Sequence, residues 1–272
     1  MFTPQYYFTP FRLGTRIDYQ PEPPVELANH FVIAEKVSRY RFTEEECNFI
    51  FHDNVLVHTK RLINYLHNIA LPDFLDREVI ERMLWLHDIP EAIVNEVRGS
   101  DYVTHEKNAD EELSTSQDHQ EESVARLIFS NHDFDLFMQT EHAKSIIKSG
   151  NWSDPAFTRN AIFAKMLDWI DGRNTFAGVL AKWMASDEYS LDPILPPHGS
   201  FELCFLQSYQ TWMNHFKTLE DVEFRQFMLG FIHCEYYLYC IDQWSPVIAR
   251  APKHIQDMYQ DFVEANSLYK VD

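Results

Sequence analysis

The sequence has little glycine and little basic charge for its length. Only 7 of its 272 residues are glycine, and because turns and strand irregularities use glycine heavily, this scarcity favours helices joined by proline-containing loops. Lysine and arginine number 23 against 42 aspartates and glutamates, a formal net charge of −19. Such a charge disfavours nonspecific binding to nucleic acid or to an anionic membrane, so we expect neither as a partner.

Cysteines and long apolar runs are scarce as well. The four cysteines are irregularly spaced, which predicts reduced, mostly buried thiols and no disulfide framework. They are Cys47, Cys204, Cys234 and Cys240. No apolar run approaches the ~20 residues that cross a bilayer, and the N-terminus lacks the apolar run of a signal peptide. The expected location is the cytoplasm.

The composition that is present is typical of a packed globular protein. Hydrophobic residues make up 45%, aromatic residues 15% and charged residues 24% of the chain. This excludes a disordered or collagen-like chain, and the length is sufficient for a substantial core. We predict an all-α fold with a proline-rich arm over residues 1–24 and a single helical domain over residues 25–272.

Local signals place the first helices. A helical pattern over residues 53–70 begins at Asp53, a plausible cap, and a second helix is expected to begin at Asp76. Because a proline disfavours the helical conformation of the preceding residue, Pro90 predicts a helix end near Asp88 and a new helix with Pro90 in its first turn. A long helix is predicted over residues 158–183, followed after a break at 194–199 by aromatic-rich helices.

The most acidic stretch of the chain, residues 101–123, contains eight acidic residues and one basic residue without a clean apolar period. We interpret it as a solvated loop and helix face in preference to a mobile lid. Near the C-terminus, His233, Cys234 and Cys240 could be drawn as a metal cluster. Their surroundings are so apolar that core packing is the preferred interpretation.

Three predicted helices each carry a polar residue where the apolar stripe should continue. These residues are His58, His87 and Asp168. A buried carboxylate is costly unless it is paired or binds a metal, and a buried imidazole needs partners for both ring nitrogens. With Asp88 next to His87, the set offers two imidazoles and two carboxylates, which suit a divalent cation such as Mn, Fe, Co, Ni or Zn.

A simpler interpretation stays open for each of these residues. A histidine on an apolar helix face is usually a hydrogen-bonded core residue, and the chain has 13 histidines. Asp168 also lies in a row of small residues at successive helical turns, which would let another helix or a ligand approach closely. The row comprises Ala161, Ala164, Gly172 and Thr175.

Three segments, NVLVHTKRLINYLHNIA, MLWLHDIPEAIVNEV and AKMLDWIDG, together resemble the H…HD…D pattern of the HD-domain superfamily of metal-dependent phosphohydrolases. The acid Glu91 in HDIPE, and Lys165 one turn before Asp168, are most similar to the bacterial 5'-deoxynucleotidase group and related HD-domain proteins. The resemblance covers residues 30–185. It implies an HD-domain-like helical bundle for these residues, and the extra C-terminal helices predicted over residues 198–272 have no counterpart in the family.

The resemblance also implies the site and its chemistry. His58, His87, Asp88 and Asp168 match the ligands of one divalent transition metal, with Mg as a further possibility. Asp88 and Glu91 match catalytic positions, and Glu91 is expected to order or donate a proton. The implied activity is hydrolysis of a small phosphorylated substrate, such as a nucleoside 5'-monophosphate, by metal-activated water.

Substrate contacts are expected from an arginine–aromatic pair, for which Arg39 and Tyr40 are the first candidates and Arg41 and Phe42 the second. Glu96, in the Asn-Glu pair where relatives carry Gly-Asp, is a further candidate substrate-binding residue. Since the chain is strongly acidic, at least one cation near the ligands should face a phosphate. The candidates are Lys60, Arg61, Lys165 and Arg173.

Two other functional classes stay open. Dinuclear HD-type oxygenases and phosphodiesterases use extra histidines between the HD pair and the last aspartate, and four occur in that interval. They are His105, His119, His132 and His142. A non-catalytic module that binds a nucleotide or a protein partner is the second alternative. A homodimer formed through the aromatic C-terminal helices is a further possibility.

Overall fold

The structure is a computed structural model that describes residues 21–37, 54–96, 111–185, 208–238, 245, 248–249 and 253–266. Over these ranges the chain is mostly helical and forms no β-strand. The prediction of an all-α fold is therefore confirmed. Most of the predicted N-terminal arm lies outside the described residues, and the predicted domain boundaries stay predictions.

The described helices are numbered here in chain order. They are α1 (Ala28–Ala34), α2 (Val55–Asn68), α3 (Arg77–Leu86), α4 (Ile89–Asn95), α5 (Glu111–Ile128), α6 (Asn131–Ser149), α7 (Arg159–Ala185), α8 (Ser208–Lys217), α9 (Val222–Ile232) and α10 (Lys253–Asn266). A π-helical turn, His233–Leu238, continues α9. None of the described helices has the length and apolar character needed to cross a membrane.

Side-chain caps fix the beginnings of the two helices that lead into the site. The Asn54 side chain accepts a hydrogen bond from the Val57 backbone N–H at 2.8 Å and begins α2. The cap predicted at Asp53 is thus replaced by the next residue, and Asp53 lies outside the described residues. Asp76 accepts from the backbone N–H groups of Glu78 and Val79, so the predicted start of α3 is confirmed.

The break between α3 and α4 follows the proline rule. His87 is the C-cap of α3 and Asp88 is the N-cap of α4, whose first turn contains Pro90. Proline has no backbone N–H to donate. It is tolerated in the first turn of a helix because the backbone N–H groups there have no intrahelical acceptor. The two helices therefore meet at the His-Asp pair, which lies between them without a loop.

The chain divides into two compact units, which are described separately. The site unit comprises residues 16–148 and 153–168, as far as they are described. In it α4 packs against α1 and α5, and α2 packs against α3. Fully buried apolar side chains form its core, among them Leu62, Ile80, Met83, Phe137 and Phe163. Burial of this kind is the main stabilising contribution to such a fold.

The aromatic unit comprises residues 1–15, 149–152 and 169–272, as far as they are described. Its core is built on buried rings of α8, α9 and α10, including Tyr209, Phe216 and Phe262. His233 belongs to this core: it hydrogen-bonds the Tyr209 hydroxyl at 3.1 Å and stacks on Tyr237. The core interpretation of His233 is confirmed, whereas Cys240 lies outside the described residues.

Candidate metal centre

Helix ends and one helix interior bring the four predicted ligands together. His58 lies one turn into α2, His87 and Asp88 occupy the α3–α4 break, and Asp168 lies within α7. His58 is 0%, His87 5% and Asp168 6% exposed, and Asp88 is half-buried. All four residues belong to the site unit. The predicted convergence is therefore present in the structure.

The facing atoms of the four side chains form a tight cluster. His58 Nε2 lies 3.1 Å from Asp168 Oδ1, 3.4 Å from His87 Nε2 and 3.7 Å from Asp88 Oδ2. His87 Nε2 lies 3.2 Å from Asp88 Oδ2 and 3.7 Å from Asp168 Oδ1. All four atoms are within 4.8 Å of one another. Among the described residues, this is the group of histidines and acids with the spacing of a metal site.

These spacings fit one shared cation. Two donors bound about 2.1 Å from one ion are separated by about 3.0 Å at a right angle and about 3.4 Å at the tetrahedral angle. Two nitrogens and two oxygens are a ligand set that divalent transition metals accept. The donor chemistry and the donor spacing therefore agree, and both support a metal at this position.

His87 is held in the orientation that a metal ligand requires. Its Nδ1 donates to the Leu84 carbonyl oxygen at 2.7 Å, which leaves Nε2 directed at the centre. Burial lowers the pKa of His87, but the Asp88 and Asp168 carboxylates outweigh this effect and raise the pKa to about 10. The same carboxylates that attract this proton would attract a divalent cation.

Asp168 interacts with cations and donors on both carboxylate oxygens. Oδ1 faces His58, while Oδ2 lies 3.1 Å from the Lys165 ammonium one turn earlier on α7. Burial alone would raise the pKa of Asp168, but Lys165 and the hydrogen bonds from His58 and His87 hold it well below its usual value. Asp168 is therefore an anion at neutral pH, as a metal ligand must be.

The predicted catalytic acid, Glu91, lies in the first turn of α4 and is half-buried. The Gln117 amide of α5 donates to Glu91 Oε1 at 3.4 Å and to Glu121 Oε1 at 2.7 Å. Gln117 is 3% exposed, so this bridge fixes the α4 carboxylate from the neighbouring helix. The position of Glu91 one helical turn beyond His87 is as the sequence predicts.

The candidate substrate-binding residues, unlike the four candidate ligands, do not all come together in one cluster. The Lys165 ammonium lies near two carboxylates, those of Asp168 and Glu141. Glu96 is exposed at the C-cap of α4. Arg61 approaches the centre, with Nη2 3.5 Å from His58 Nδ1. The arginine–aromatic candidates, residues 39–42, lie outside the described residues, so their contacts stay predictions.

Two other candidate cations have partners that are not among the four ligands. Lys60 forms an ion pair with Glu22 at 3.6 Å. In the aromatic unit, Arg173 donates to the Ser208 hydroxyl at 3.0 Å and lies over the rings of Trp169 and Trp212. Cation–π packing of this kind is a frequent structural role for arginine. Lys60 and Arg173 therefore have structural contacts that account for their charges.

The extra histidines considered for a dinuclear site do not join the cluster where they are described. His119, His132 and His142 are all exposed, and His105 lies outside the described residues. Asp133, next to His132, instead pairs with Arg82. The described part of the chain therefore offers one group of four ligands.

Three residues near the site were not anticipated from the sequence. They are Gln117, Glu121 and Glu141. Gln117 and Glu121 are four residues apart in an acidic stretch, which places them on one helix face, and this spacing was the available signal. Glu141 meets Lys165 from another helix, and no local pattern identifies such a partner.

The chain shows no significant match to any known protein-family model, curated protein or solved structure.

Proposed function

We propose that this protein is a metal-dependent phosphohydrolase that acts on a small phosphate ester, such as a nucleoside 5'-monophosphate. The observation that carries the proposal is the buried cluster of His58 Nε2, His87 Nε2, Asp88 Oδ2 and Asp168 Oδ1, with neighbouring donors 3.1–3.7 Å apart. The order of these residues along the chain resembles the HD-domain superfamily, and this resemblance supports the reaction type.

His58, His87, Asp88 and Asp168 would hold one divalent transition metal, with Mg as a further possibility. When bound, such an ion lowers the pKa of water and screens a phosphate from the surrounding carboxylates. Asp88, which lies at the outer edge of the cluster with 12% of its side chain exposed, would face incoming substrate. The more deeply buried histidines would fix the position of the ion.

Glu91 is the candidate acid–base residue. It lies in the turn that follows Asp88, where the positive end of α4 stabilises its carboxylate. The Gln117 amide holds Oε1, so the carboxylate has a defined orientation. We propose that Glu91 orders the attacking water or protonates the leaving oxygen, a role that typically contributes 10²–10⁴-fold to a rate.

A cation is needed beside the phosphate because the chain carries a net charge of −19. Arg61 is the described candidate, since its guanidinium lies 3.5 Å from the His58 ring and is half-buried. A guanidinium can bind two phosphate oxygens at once. Arg39 and Tyr40, or Arg41 and Phe42, stay further proposed substrate contacts.

The test combines metal analysis with a substrate panel. The metal content of the purified protein is measured first. The protein is then stripped of metal, reloaded separately with Mn, Co, Ni or Mg, and assayed against nucleoside 5'-monophosphates and simple phosphate monoesters. One ion per chain with metal-dependent phosphate release supports the proposal. Two irons per chain would favour an oxygenase, and ligand-induced thermal stabilisation without turnover would favour a binding module. Absence of bound metal would overturn the proposed site.

A further inference from the structure

A row of alternating charges leads from the candidate metal centre to the surface of the site unit. The Lys165 ammonium lies 3.1 Å from Asp168 Oδ2 and 3.9 Å from Glu141 Oε1. Lys144, on the same helix as Glu141, lies 3.8 Å from Glu141 Oε2 and 3.3 Å from Asp118 Oδ1. Side-chain exposure rises along the row from 8% at Asp168 to 49% at Asp118.

Lys165 is the most buried cation of this row. Only 10% of its side chain is exposed, so its charge is costly unless it is compensated. The carboxylates of Asp168 and Glu141, 3.1 Å and 3.9 Å from the ammonium, supply that compensation. The Lys165 charge therefore lies directly beside Asp168, one of the four candidate ligands.

The position of this charge has a consequence for metal binding. A divalent ion among the four donors would lie close to an ammonium of the same sign, and charges in a buried site are weakly screened. Glu141 acts in the opposite direction, because it neutralises part of the Lys165 charge. In this pair, Lys165 therefore disfavours binding of the divalent ion and Glu141 favours it.

We infer that the Lys165–Glu141 pair sets the affinity of the His58, His87, Asp88 and Asp168 centre for its divalent cation. Lys165 compensates the buried carboxylates when the centre holds no metal and lowers the affinity when metal binds. The inference rests on the proposed metal centre but not on the proposed hydrolysis. It assigns Lys165 a role in tuning the ligands, which differs from the phosphate contact predicted from the sequence.

Lys165→Met is the first test, because methionine keeps most of the unbranched side chain and removes the charge. Calorimetric titration of the metal-free protein with Mn²⁺ should show binding at least about tenfold tighter than in the wild type. The increase in melting temperature caused by Mn²⁺ should also be larger. A merely structural or orienting role of Lys165 predicts the opposite, since loosening Asp168 would weaken binding.

Glu141→Gln is the matched test of the other charge. It leaves the Lys165 ammonium less compensated, so Mn²⁺ should bind several-fold more weakly than in the wild type. The double variant lacks both charges and should return towards the wild-type affinity. Lys144→Met, at the exposed end of the row, is the control and should leave the affinity within about twofold, because exposed pairs are screened.

The outcomes separate the inference from the proposed function. Unchanged or weaker Mn²⁺ binding by Lys165→Met overturns the inference. If that variant does not fold, Glu141→Gln carries the test alone, and unchanged or tighter Mn²⁺ binding by this variant overturns the inference. A wild type that binds no Mn²⁺ overturns both the centre and the inference. Affinity changes with the expected signs in a protein that releases no phosphate would contradict the hydrolase alone.

Discussion

His58 Nε2 and His87 Nε2 lie 3.4 Å apart, although 29 residues separate the two histidines in the sequence. Two imidazole nitrogens at this distance repel each other unless a proton or a cation lies between them. A shared proton removes the repulsion between two nitrogens only. A divalent cation would bind both nitrogens and also the facing oxygens of Asp88 and Asp168. This relationship is why we interpret the cluster as a metal centre and not as hydrogen-bonded core histidines.

The first prediction concerns Asp88. Asp88→Ala removes one of the four donors, and we expect the bound metal and the phosphate-releasing activity both to be lost. Asp88 Oδ2 also lies 3.2 Å from the buried His87 Nε2, so the metal-free variant should be less stable than the metal-free wild type, because the imidazole loses a partner. Elemental analysis, activity assays and thermal denaturation measure the three quantities.

His67→Ala is the control for Asp88→Ala. His67 lies on the same helix as His58 but pairs with Glu81 at 2.7 Å away from the cluster. This variant should keep its metal and its turnover. An Asp88→Ala protein with full metal content and full turnover would remove Asp88 from the centre.

The second prediction separates chemistry from metal binding. Glu91→Gln is expected to keep the metal while the turnover number falls about 10²–10⁴-fold, because the variant has the shape of the acid without its proton chemistry. Metal content and kcat are measured on the same preparation. Glu78→Gln, at an exposed position in the first turn of α3, is the control for charge alone. Unaltered turnover in Glu91→Gln would leave Glu91 with a structural role.

Local chemistry made much of the site unit predictable. Asp76 determines where α3 begins and Pro90 where α4 begins, because capping and proline geometry act over a few residues. Three of the four candidate ligands, His58, His87 and Asp168, were identifiable because each places a polar group on an otherwise apolar helix face, and Asp88 because it follows His87 in the sequence. That signal comes from helical periodicity and needs no knowledge of the tertiary packing.

The remaining features depend on how helices pack. Gln117 meets Glu91 across 26 residues, and Arg82 meets Asp133 across 51 residues. The sequence specifies that these polar groups exist but not which one each will face, since long-range pairing is decided by the packing of whole helices.

The shift of the α2 cap from Asp53 to Asn54 has a different cause. Two adjacent residues were both good caps, and only the backbone geometry distinguishes them.

The third prediction concerns this cap. Asn54→Ala removes the acceptor of the Val57 N–H, and we expect it to lower the free energy of unfolding by about 1 kcal/mol. Asn54→Asp keeps an acceptor and should cost less. Chemical denaturation measures both variants. If Asn54→Ala unfolds at the same denaturant concentration as the wild type, the side chain does not stabilise the start of α2.

The fourth prediction is a pH dependence at a site away from the metal centre. Asp133 accepts two hydrogen bonds of 2.8 Å from the Arg82 guanidinium and one of 3.0 Å from the Ser130 hydroxyl. The pairing with Arg82 lowers the pKa of Asp133 in the folded protein despite its partial burial. A lowered pKa means that the folded state favours the ionised carboxylate more than the unfolded state does.

The sign of the effect follows from this difference. The contribution of Asp133 is fully present above the unfolded pKa of about 4 and is lost as the pH falls through the lower folded value. Asp133→Asn should therefore reduce the free energy of unfolding by about 1–2 kcal/mol at neutral pH, after allowance for solvent screening. The difference from the wild type should shrink below about pH 4, as followed by urea denaturation over a pH series.

The second partner of Arg82 supplies a matched control for that pH series. Glu26 accepts from Arg82 Nη1 at 2.7 Å, but 62% of its side chain is exposed. Because solvent screens this half of the network, Glu26→Gln should change stability much less than Asp133→Asn does, although both variants remove one negative charge beside the same guanidinium. Equal losses in the two variants would mean that the net charge around Arg82 decides its contribution. A loss confined to Asp133→Asn, and present only where the wild-type carboxyl is ionised, would show that the buried bidentate pair joins α3 to α6.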